Sequence, residues 1–257
     1  MLKTVCTTSL IVFLFSTNAI AQPGNFYNYS SGTDSIISKN RLIVRNASKD
    51  TLEIAKLKNG KKHGKQTLFY NNGEIQRISN FKTGLLNGKV EYYSQGKKDP
   101  FRIEHFKAFP KEETTRLHGV YKKFDSKGNL AELTNYKNGS KNGKYELYHN
   151  NGKLKEKGTY EDNLNIGNKR YYLADGTLLR DENYIIIDNP EYQKHTQQVS
   201  NEDNSKKEIR HVPKKLSLLH GKATYYHSNG KFLPKIILKM GRKTVYVRNI
   251  IKTKITP

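Results

Sequence analysis

The sequence has little of several residue types, and each scarcity excludes a kind of structure or chemistry. Its 257 residues include one cysteine, Cys6, and no tryptophan. Cys6 lies in a segment that we expect to be removed, so we expect the mature chain to have no disulfide and no thiol nucleophile. Hydrophobic residues make up 35% of the chain and the mean hydropathy is −0.82, which argues against a thick core covered on both sides.

Catalytic motifs are missing as well. The sequence contains no glycine-rich phosphate loop before a helix, no His-Glu-x-x-His pair and no nucleophile elbow. Carboxylates such as Glu112-Glu113 and Glu161-Asp162 stand in expected loops without a visible catalytic partner. We therefore predict no catalytic residues, no metal ligands and no cofactor, and we interpret the chain as a non-enzyme.

Negative charge is scarce relative to positive charge. Lys and Arg number 46 against 23 Asp and Glu, which gives a formal net charge of +23. A surface of this sign favours anionic partners such as acidic proteins, acidic glycans or an anionic membrane face. The charge permits nucleic acid too, but the sequence shows no nucleic-acid-binding module. A solvated, lysine-rich sheet surface explains the same charge without any partner.

Residues 1–21 have the pattern of a secretory signal peptide. Lys3 provides a short positive start, an apolar run is densest at residues 10–15, and Ala19-Ile20-Ala21 forms an A-x-A cleavage site. We expect cleavage after Ala21, no transmembrane span afterwards, and export to the periplasm or beyond. The cleavage point lacks the cysteine of a lipoprotein, so no lipid anchor is expected.

A repeat of 24 residues runs through most of the chain. Its marker is a glycine, called here the register glycine, which recurs as Gly64, Gly88, Gly119, Gly143, Gly167 and Gly221. Three of the steps are 24 residues, whereas steps of 31 and 54 residues separate Gly88 from Gly119 and Gly167 from Gly221. Fixed spacing in this range is typical of a repeat array.

Other positions keep the same register. The fifth residue after each register glycine is aromatic: Phe69, Tyr93, Phe124, Tyr148, Tyr172 and Tyr226. Apolar residues also stand near offsets eleven and seventeen, as Leu154 and Tyr160 do after Gly143. Odd offsets can share one face of an extended chain if the turns preserve parity. We therefore predict one apolar stripe, with the six aromatic residues as its partner-binding part.

Glycine and asparagine pairs mark the expected turns. Asn-Gly and Asp-Gly favour tight hairpin turns because both central residues need positive φ. Each repeat then reads as a hairpin, and a second glycine pair turns the chain into the next repeat. The glycines predicted as structural turns are Gly64, Gly73, Gly88, Gly143, Gly152, Gly167, Gly176, Gly221 and Gly230.

Lysines and histidines flank the register glycine in several repeats. Lys65, Lys89, Lys144 and Lys222 follow it, and we predict that they line a sheet edge, where lysine blocks pairing. The same ladder could instead bind anions. His63, His118 and His220 precede the glycine. They suit either a metal site or turns, and turns are favoured because Asn or Ile holds this place in the other repeats.

The repeated pattern Asn-Gly-Lys, then a Tyr, then Asn-Gly-x-Leu resembles the MORN-repeat variant, the unit of YwqK-type antitoxins of toxin–antitoxin modules. The resemblance covers about 57–184 and a decayed unit at 216–240, and it is clearest at 136–160. It implies an all-β fold, an elongated antiparallel β-meander of about six hairpins in a solenoid-like single sheet. It also implies a protein-binding or neutralising role without catalysis. The secretion signal departs from the pattern of a cytoplasmic antitoxin.

The chain divides around this array. We expect a signal peptide at 1–21, an N-terminal segment with degenerate capping strands at 22–56, and five repeats at 57–184. A polar loop at 185–215, a sixth degenerate repeat at 216–241 and a tail strand within 242–257 follow. Three functions remain open: a protein-binding scaffold, an electrostatic binder of anionic envelope lipid or glycan, and a purely structural repeat protein.

Overall fold

The fold is built almost entirely from short strands. The computed structural model describes residues 33–189, 213–231 and 236–238, so the expected signal peptide, the tail strand and residues 190–212 lie outside it. Within the described part there are eighteen strands and a short 3₁₀ helix at Pro110–Glu112. The strands are β1 (Asp34–Ser38), β2 (Arg41–Arg45), β3 (Thr51–Lys58), β4 (Lys61–Phe69), β5 (Ile75–Lys82), β6 (Leu85–Leu86), β7 (Gly88–Tyr93), β8 (Pro100–Phe109), β9 (Thr114–Leu117), β10 (Gly119–Phe124), β11 (Leu130–Lys137), β12 (Ser140–Tyr148), β13 (Leu154–Glu161), β14 (Leu164–Tyr172), β15 (Leu178–Asp188), β16 (Lys215–Leu219), β17 (Gly221–Tyr225) and β18 (Ile236–Leu238).

These strands form the antiparallel meander that the sequence predicts, in one long open sheet. Most strands pair with the next strand along the chain, as β1 does with β2, β14 with β15 and β17 with β18. Two short strands share one partner at three places: β6 and β7 on β5, β9 and β10 on β8, and β16 and β17 on β15. At each place the two short strands act as one interrupted strand.

The loops at one margin of the sheet are five-residue connections closed by glycine. In residues 70–74, Tyr70 donates its N–H to the Glu74 carbonyl and Gly73 donates to the Tyr70 carbonyl. Gly73 has φ +82, whereas Asn72 is not in the positive-φ region. The loop is therefore a three-residue turn with a left-handed glycine, and not the two-residue turn that we predicted. The Asn72 side chain accepts the N–H of Glu74, which explains asparagine before this glycine.

The same loop recurs along the margin and is held by the same side-chain bonds. Asn151 and Asp175 accept backbone N–H groups two residues on, at 3.1 and 2.8 Å. Successive loops also bond to each other, since Asn151 Nδ2 donates to the Ala174 carbonyl at 2.6 Å. The second glycines Gly73, Gly152, Gly176 and Gly230 all lie in these loops.

The two-residue turns with positive φ at both central residues lie at the opposite margin. Asn59 and Gly60 have φ +51 and +72 between the paired residues Lys58 and Lys61. Asn138 and Gly139 repeat the geometry with +52 and +96. The rule that Asn-Gly suits such turns therefore holds at this margin, where the chain passes from one repeat to the next.

The register glycines are not turn residues, which corrects the sequence prediction for Gly64, Gly88, Gly143, Gly167 and Gly221. They lie inside or at the start of the first strand of each repeat. Beside Gly143, Thr134 pairs with Tyr145 but Tyr136 pairs with Lys141, so two extra residues bulge out there. Gly143 has φ +104, which only glycine adopts without strain. The glycine therefore serves a β-bulge within a strand.

An aromatic ring faces most of the register glycines across the sheet. Gly64, Gly88 and Gly143 pair directly with Phe81, Phe106 and Tyr160. Gly119 and Gly167 pair with Tyr136 and Tyr184, and Gly221 pairs with Leu238. A strand glycine leaves room that a cross-strand aromatic residue fills. This pairing explains the recurrence of an aromatic residue near offset seventeen.

Three boundaries differ from the sequence interpretation. The N-terminal segment contributes three strands, since β1 precedes the two predicted near Arg41 and Thr51. At the ends of the expected loop at 185–215, residues 185–188 belong to β15 and Lys215 belongs to β16. The apolar run Ile185–Ile187 pairs with β16, and such β-branched residues favour strands.

We expect Gly143→Ala to destabilise the chain. The substitution places a side chain at φ +104, and its Cβ would lie 3.2 Å from Cβ of Asn135. Strain of this kind lowers the free energy of unfolding by about 1–3 kcal/mol. Urea denaturation followed by circular dichroism measures the loss. The exposed strand residue Lys155→Ala is the control, with a change within about 0.5 kcal/mol; equal effects would contradict the assignment.

Acid is expected to weaken the loops. Backbone N–H groups of Asn129 and Thr177 hold the pKa values of Asp125 and Asp175 below their usual range. A carboxyl group with a lowered folded-state pKa stabilises the fold above its unfolded pKa, about 3.9, and this contribution is lost as pH falls through the folded value.

The urea midpoint should therefore fall between pH 5 and pH 3, and it should fall less in the variant Asp125→Asn/Asp175→Asn. The asparagine side chains retain the acceptor oxygen but do not titrate. Unfolding curves at pH 7, 5 and 3 test this. An equal fall in both proteins would show that these carboxylates do not contribute.

Candidate binding surfaces on the two faces of the sheet

The sheet has two chemically different faces. Face A is defined as the side that carries the residues two and four positions after each register glycine, with the return-strand residues opposite them. Its members include Gln66, Leu68, Arg77, Ser79, Val90, Tyr92, Glu104, Tyr145, Glu156, Lys169, Tyr171 and Glu182. Face B is the other side, which carries the residues one, three and five positions after each register glycine.

The predicted single apolar stripe divides between these faces, which corrects the sequence interpretation. Gly64 and Phe81 are directly opposite, so Phe81 shares face A with Leu68. Phe69 follows Leu68 and therefore points to face B. A register shift between Leu68 and Phe69 adds one residue to the return strand, so parity is not preserved from offset five to offset seventeen.

Face A is held together by a network of tyrosines and charged groups. Tyr145 is 2% exposed and donates its hydroxyl to Glu156 at 2.6 Å. Glu156 also receives Lys169 Nζ at 3.0 Å. The Tyr145 ring lies 4.4 Å from that of Tyr160. Burial, and next the bond to Glu156, raises the pKa of Tyr145 well above its usual range.

Glycine is required beside this tyrosine for space. Gly158 pairs with Tyr145 across the sheet, and a Cβ on Gly158 would lie 2.8 Å from Cε1 of the Tyr145 ring. A Cβ at this distance would force the buried Tyr145 ring to shift, because the ring lies directly over Gly158. Gly158 thus fills a role that its spacing alone did not reveal.

Two further glutamates on face A have the same kind of environment. Glu53 is 2% exposed, accepts Gln66 Nε2 at 2.7 Å and pairs with Lys62 at 2.7 Å. Glu182 is 4% exposed and accepts the hydroxyls of Tyr184 at 3.0 Å and Tyr225 at 3.1 Å. Buried charges are stable when they are paired in this way. These charged groups of face A therefore bond to other side chains of face A and stabilise the sheet.

Cations cover aromatic rings elsewhere on face A. The Arg102 guanidinium lies 4.0 Å from the ring centre of Tyr92, and that of Arg180 lies 3.8 Å from the centre of Tyr171. Tyr92 donates its hydroxyl to Glu104 at 2.8 Å, and burial with this carboxylate raises the pKa of Tyr92 to about 12. Such stacked rings and guanidinium groups leave little ring surface for a ligand.

Face B presents the row of aromatic residues at offset five. Phe69, Tyr93, Phe124, Tyr148, Tyr172 and Tyr226 are all half-buried. Tyr148 donates its hydroxyl to Glu146 at 2.5 Å, and burial followed by this bond raises the pKa of Tyr148 to about 12. Lys157 lies 5.9 Å from the ring centre of Tyr172. The row therefore mixes aromatic surface with charge.

The lysines after the register glycine lie on the same face, and not at a sheet edge as we predicted. Lys65, Lys89 and Lys144 are exposed in β4, β7 and β12, each of which pairs with strands on both sides. Lys222 lies in β17, and its side chain is outside the described set. Lys89 pairs with Glu91 at 2.8 Å, which raises the pKa of Lys89.

A polar row on face B completes the bulges. Asn80 donates Nδ2 to the Lys89 carbonyl at 3.0 Å, and Asn135 donates to the Lys144 carbonyl at 2.6 Å. His105 Nδ1 lies 2.6 Å from the Val120 carbonyl at the equivalent place. Since a bulge removes backbone partners from the ladder, these side chains supply the missing bond.

The histidines before the register glycine make local contacts near the two-residue turns. His118 Nδ1 lies 3.1 Å from Asn138 Oδ1, and His63 Nδ1 lies 3.5 Å from the Thr83 amide nitrogen. In the described ranges, no three His, Cys, Asp or Glu side chains come close enough to hold a metal ion. The same ranges contain no helix of the length and hydrophobicity that would cross a membrane.

The repeat geometry agrees with a known repeat family at three places. Residues 62–83, 117–138 and 141–162 each match the MORN repeat variant. Each match starts two residues before a register glycine, spans one hairpin and ends at the first residue of a two-residue turn. The units at Gly88 and Gly167 fold in the same way. Three hairpins of the sheet therefore match the MORN repeat variant.

Similar solved structures share little sequence with this chain. The accessory secretory protein 1, 2 and 3 structure from Streptococcus pneumoniae is 10% identical over 48% of this chain and 22% of that chain, with a TM-score of 0.29. A GtfA/B complex is 12% identical over 51% of this chain and 20% of that chain, with a TM-score of 0.23. No curated protein matches the sequence.

Sequence reasoning missed the face A network and the polar row. The signal for the network was present, since Glu132, Glu156 and the aromatic residues around them recur at constant offsets. A recurring glutamate beside recurring tyrosines indicates a cross-strand bond once the register is known. The register itself depends on bulges, which the spacing did not show.

Tyr145→Phe should destabilise the chain more than Tyr148→Phe. Both changes remove a hydroxyl that donates to a glutamate, but Tyr145 is buried on face A and Tyr148 is half-buried on face B. Loss of a buried bond to a charged group costs about 1.5–3 kcal/mol, and we expect less than about 1 kcal/mol at Tyr148. Urea denaturation compares the pair. Equal losses in the free energy of unfolding would show that the buried bond on face A stabilises the chain no more than the bond on face B.

Proposed function

We propose that this chain is a non-catalytic, exported repeat scaffold that binds another protein through face B. The observation that carries this proposal is the placement of two rows on one face. The aromatic residues at offset five and the exposed lysines at offset one share face B, whereas the charges of face A pair with one another. Aromatic residues are enriched in the cores of protein interfaces, whereas exposed lysines suit the polar rim and steer an acidic partner.

Export is supported by the pattern of residues 1–21, and the absence of catalysis is supported by the missing motifs. In the proteins that the sequence resembles, one form of such binding is the neutralisation of a partner. An antitoxin or immunity protein acts in this manner. The repeat match supports a scaffold and leaves the identity of the partner to experiment.

A second candidate function is the binding of anionic envelope lipid or glycan by the lysine row. The observation in its favour is that Lys65 and Lys144 are exposed on an open face. Binding of this kind weakens steeply as salt screens the charges, whereas an aromatic protein interface responds little. A purely structural repeat would retain neither kind of ligand.

A crosslinked pull-down from fractionated envelope extract, at low and high salt with mass spectrometry, tests the proposal. The baits are the wild-type chain, Tyr148→Ser/Tyr172→Ser and the control Tyr148→Phe/Tyr172→Phe. We expect one protein to be retained by the wild type and the control in both salts, and to be lost from the serine variant. Thermal melts monitored by circular dichroism verify that all three baits are folded.

Other outcomes would overturn the proposal. Broad anionic material that is lost at high salt would favour the electrostatic function. Retention of the same protein by the serine variant would exclude the aromatic row from the interface. If none of the baits retained any protein, lipid or glycan, the result would favour a purely structural repeat protein.

A further inference from the structure

One hairpin breaks the regularity of the array. Between Gly88 and Gly119 the chain has 31 residues in place of 24, and the surplus forms the extended hairpin, defined as residues 106–117. Its pairs run from Phe106 with Leu117 to Phe109 with Thr114, and the loop at 110–113 replaces the usual two-residue turn. Two further residues on each strand carry the tip about 7 Å beyond the neighbouring turns.

The extended hairpin is fastened to its neighbours on both sides. Thr115 is buried and donates Oγ1 to the Leu86 carbonyl at 2.8 Å. Ala108 donates its N–H to Asn87 Oδ1 at 3.2 Å. Gly139 donates its N–H to the Leu117 carbonyl at 2.8 Å. The projection is therefore preorganised, and a partner would not have to order it on binding.

The face B side of this hairpin carries an aromatic ring between two cations. Lys107 Nζ lies 5.5 Å and the Arg116 guanidinium 4.8 Å from the ring centre of Phe109. Lys107 and Arg116 are directly opposite across the strands. Two like charges directly opposite each other are unfavourable in a sheet unless a counter-charge is near. Glu112 pairs with Arg116, which leaves a net positive charge around the ring.

The surroundings of the hairpin are also basic. Lys82 and Lys137 end the return strands of the neighbouring repeats, and both are exposed on face B. An acidic surface would meet complementary charge across this whole margin. Insertions within a repeat array map to loops on one face, and this is often the binding face.

We propose that the extended hairpin is the docking point for an acidic protein surface, with a partner carboxylate bound by Lys107 and Arg116 beside Phe109. This inference rests on the proposed function, since it names the part of face B that selects the partner. A guanidinium binds a carboxylate through two parallel hydrogen bonds, and arginine and aromatic residues dominate interface hot spots. A single projecting site suits one protein contact, whereas a membrane surface would engage the whole flat row of lysines.

Fluorescence anisotropy of the full chain with a labelled acidic probe tests the site. The probe is a 12-residue peptide of alternating glutamate and tyrosine, and its control replaces every glutamate with glutamine. We expect Lys107→Ala/Arg116→Ala to weaken binding of the acidic peptide at least tenfold. The matched variant Lys123→Ala/Lys127→Ala removes two exposed charges away from the hairpin and should weaken binding less than twofold.

Several outcomes would overturn the docking site. Equal weakening by the two variants would show a response to net charge alone. Equal binding of the glutamine peptide would show that no carboxylate is recognised. Loss of binding to phosphatidylglycerol vesicles in Lys107→Ala/Arg116→Ala, with unchanged peptide binding, would assign the hairpin to a lipid surface.

The pull-down separates this inference from the proposed function. Suppose that Lys107→Ala/Arg116→Ala retains the same protein as the wild type while Tyr148→Ser/Tyr172→Ser loses it. The docking site would then be wrong and the proposed function would stand. Loss of the protein from both variants supports both statements. Phe109→Leu, which retains an apolar side chain and both cations, should retain the protein more strongly than Phe109→Ser.

Discussion

Five repeats depend on one backbone constraint, a glycine with positive φ within or at the start of the first strand. These glycines are Gly64, Gly88, Gly119, Gly143 and Gly167. Gly143, with φ +104, allows the strand to bulge by two residues and then continue in the ladder. The bulge exposes the Lys144 carbonyl, which Asn135 satisfies, and it leaves room opposite for the Tyr160 ring. The bulge therefore explains three recurring features of the sequence. Glycine adopts its backbone angles, asparagine bonds to the exposed carbonyl, and the aromatic ring fills the space opposite the glycine.

In the part of the chain that the structure describes, the sheet has no second layer, so its side chains are buried within one face. Face A provides this burial with rings and charged chains that lie across neighbouring strands, as Tyr145 covers Gly158 and reaches Glu156. Among the described residues, a small apolar cluster of Phe81, Leu86 and Val90 resembles an ordinary core. Long polar side chains bury their stems and pair their ends, so a chain of low hydropathy can still fold. Face B is thereby free to carry surface chemistry that the fold does not need.

The fold class and the repeat period could be predicted from the sequence, because spacing and turn residues report directly on strands and hairpins. The assignment of side chains to faces could not. An alternation argument fails wherever a bulge adds a residue, and one extra residue beside Phe69 moved the aromatic row to the opposite face from Phe81. The lysines at offset one were likewise misplaced, since a repeat pattern does not show which strands have partners on both sides.

The stacked hairpins also fix a scale of distance. Each repeat contributes two strands, and strands in a sheet lie about 4.8 Å apart, so equivalent side chains in successive repeats recur about every 10 Å. The gain or loss of a whole repeat would leave this spacing unchanged. The loss of one residue within a strand would move the side chains that follow it to the opposite face. The sheet therefore fixes the distance between binding groups. Equivalent side chains of different repeats lie at multiples of about 10 Å along the array.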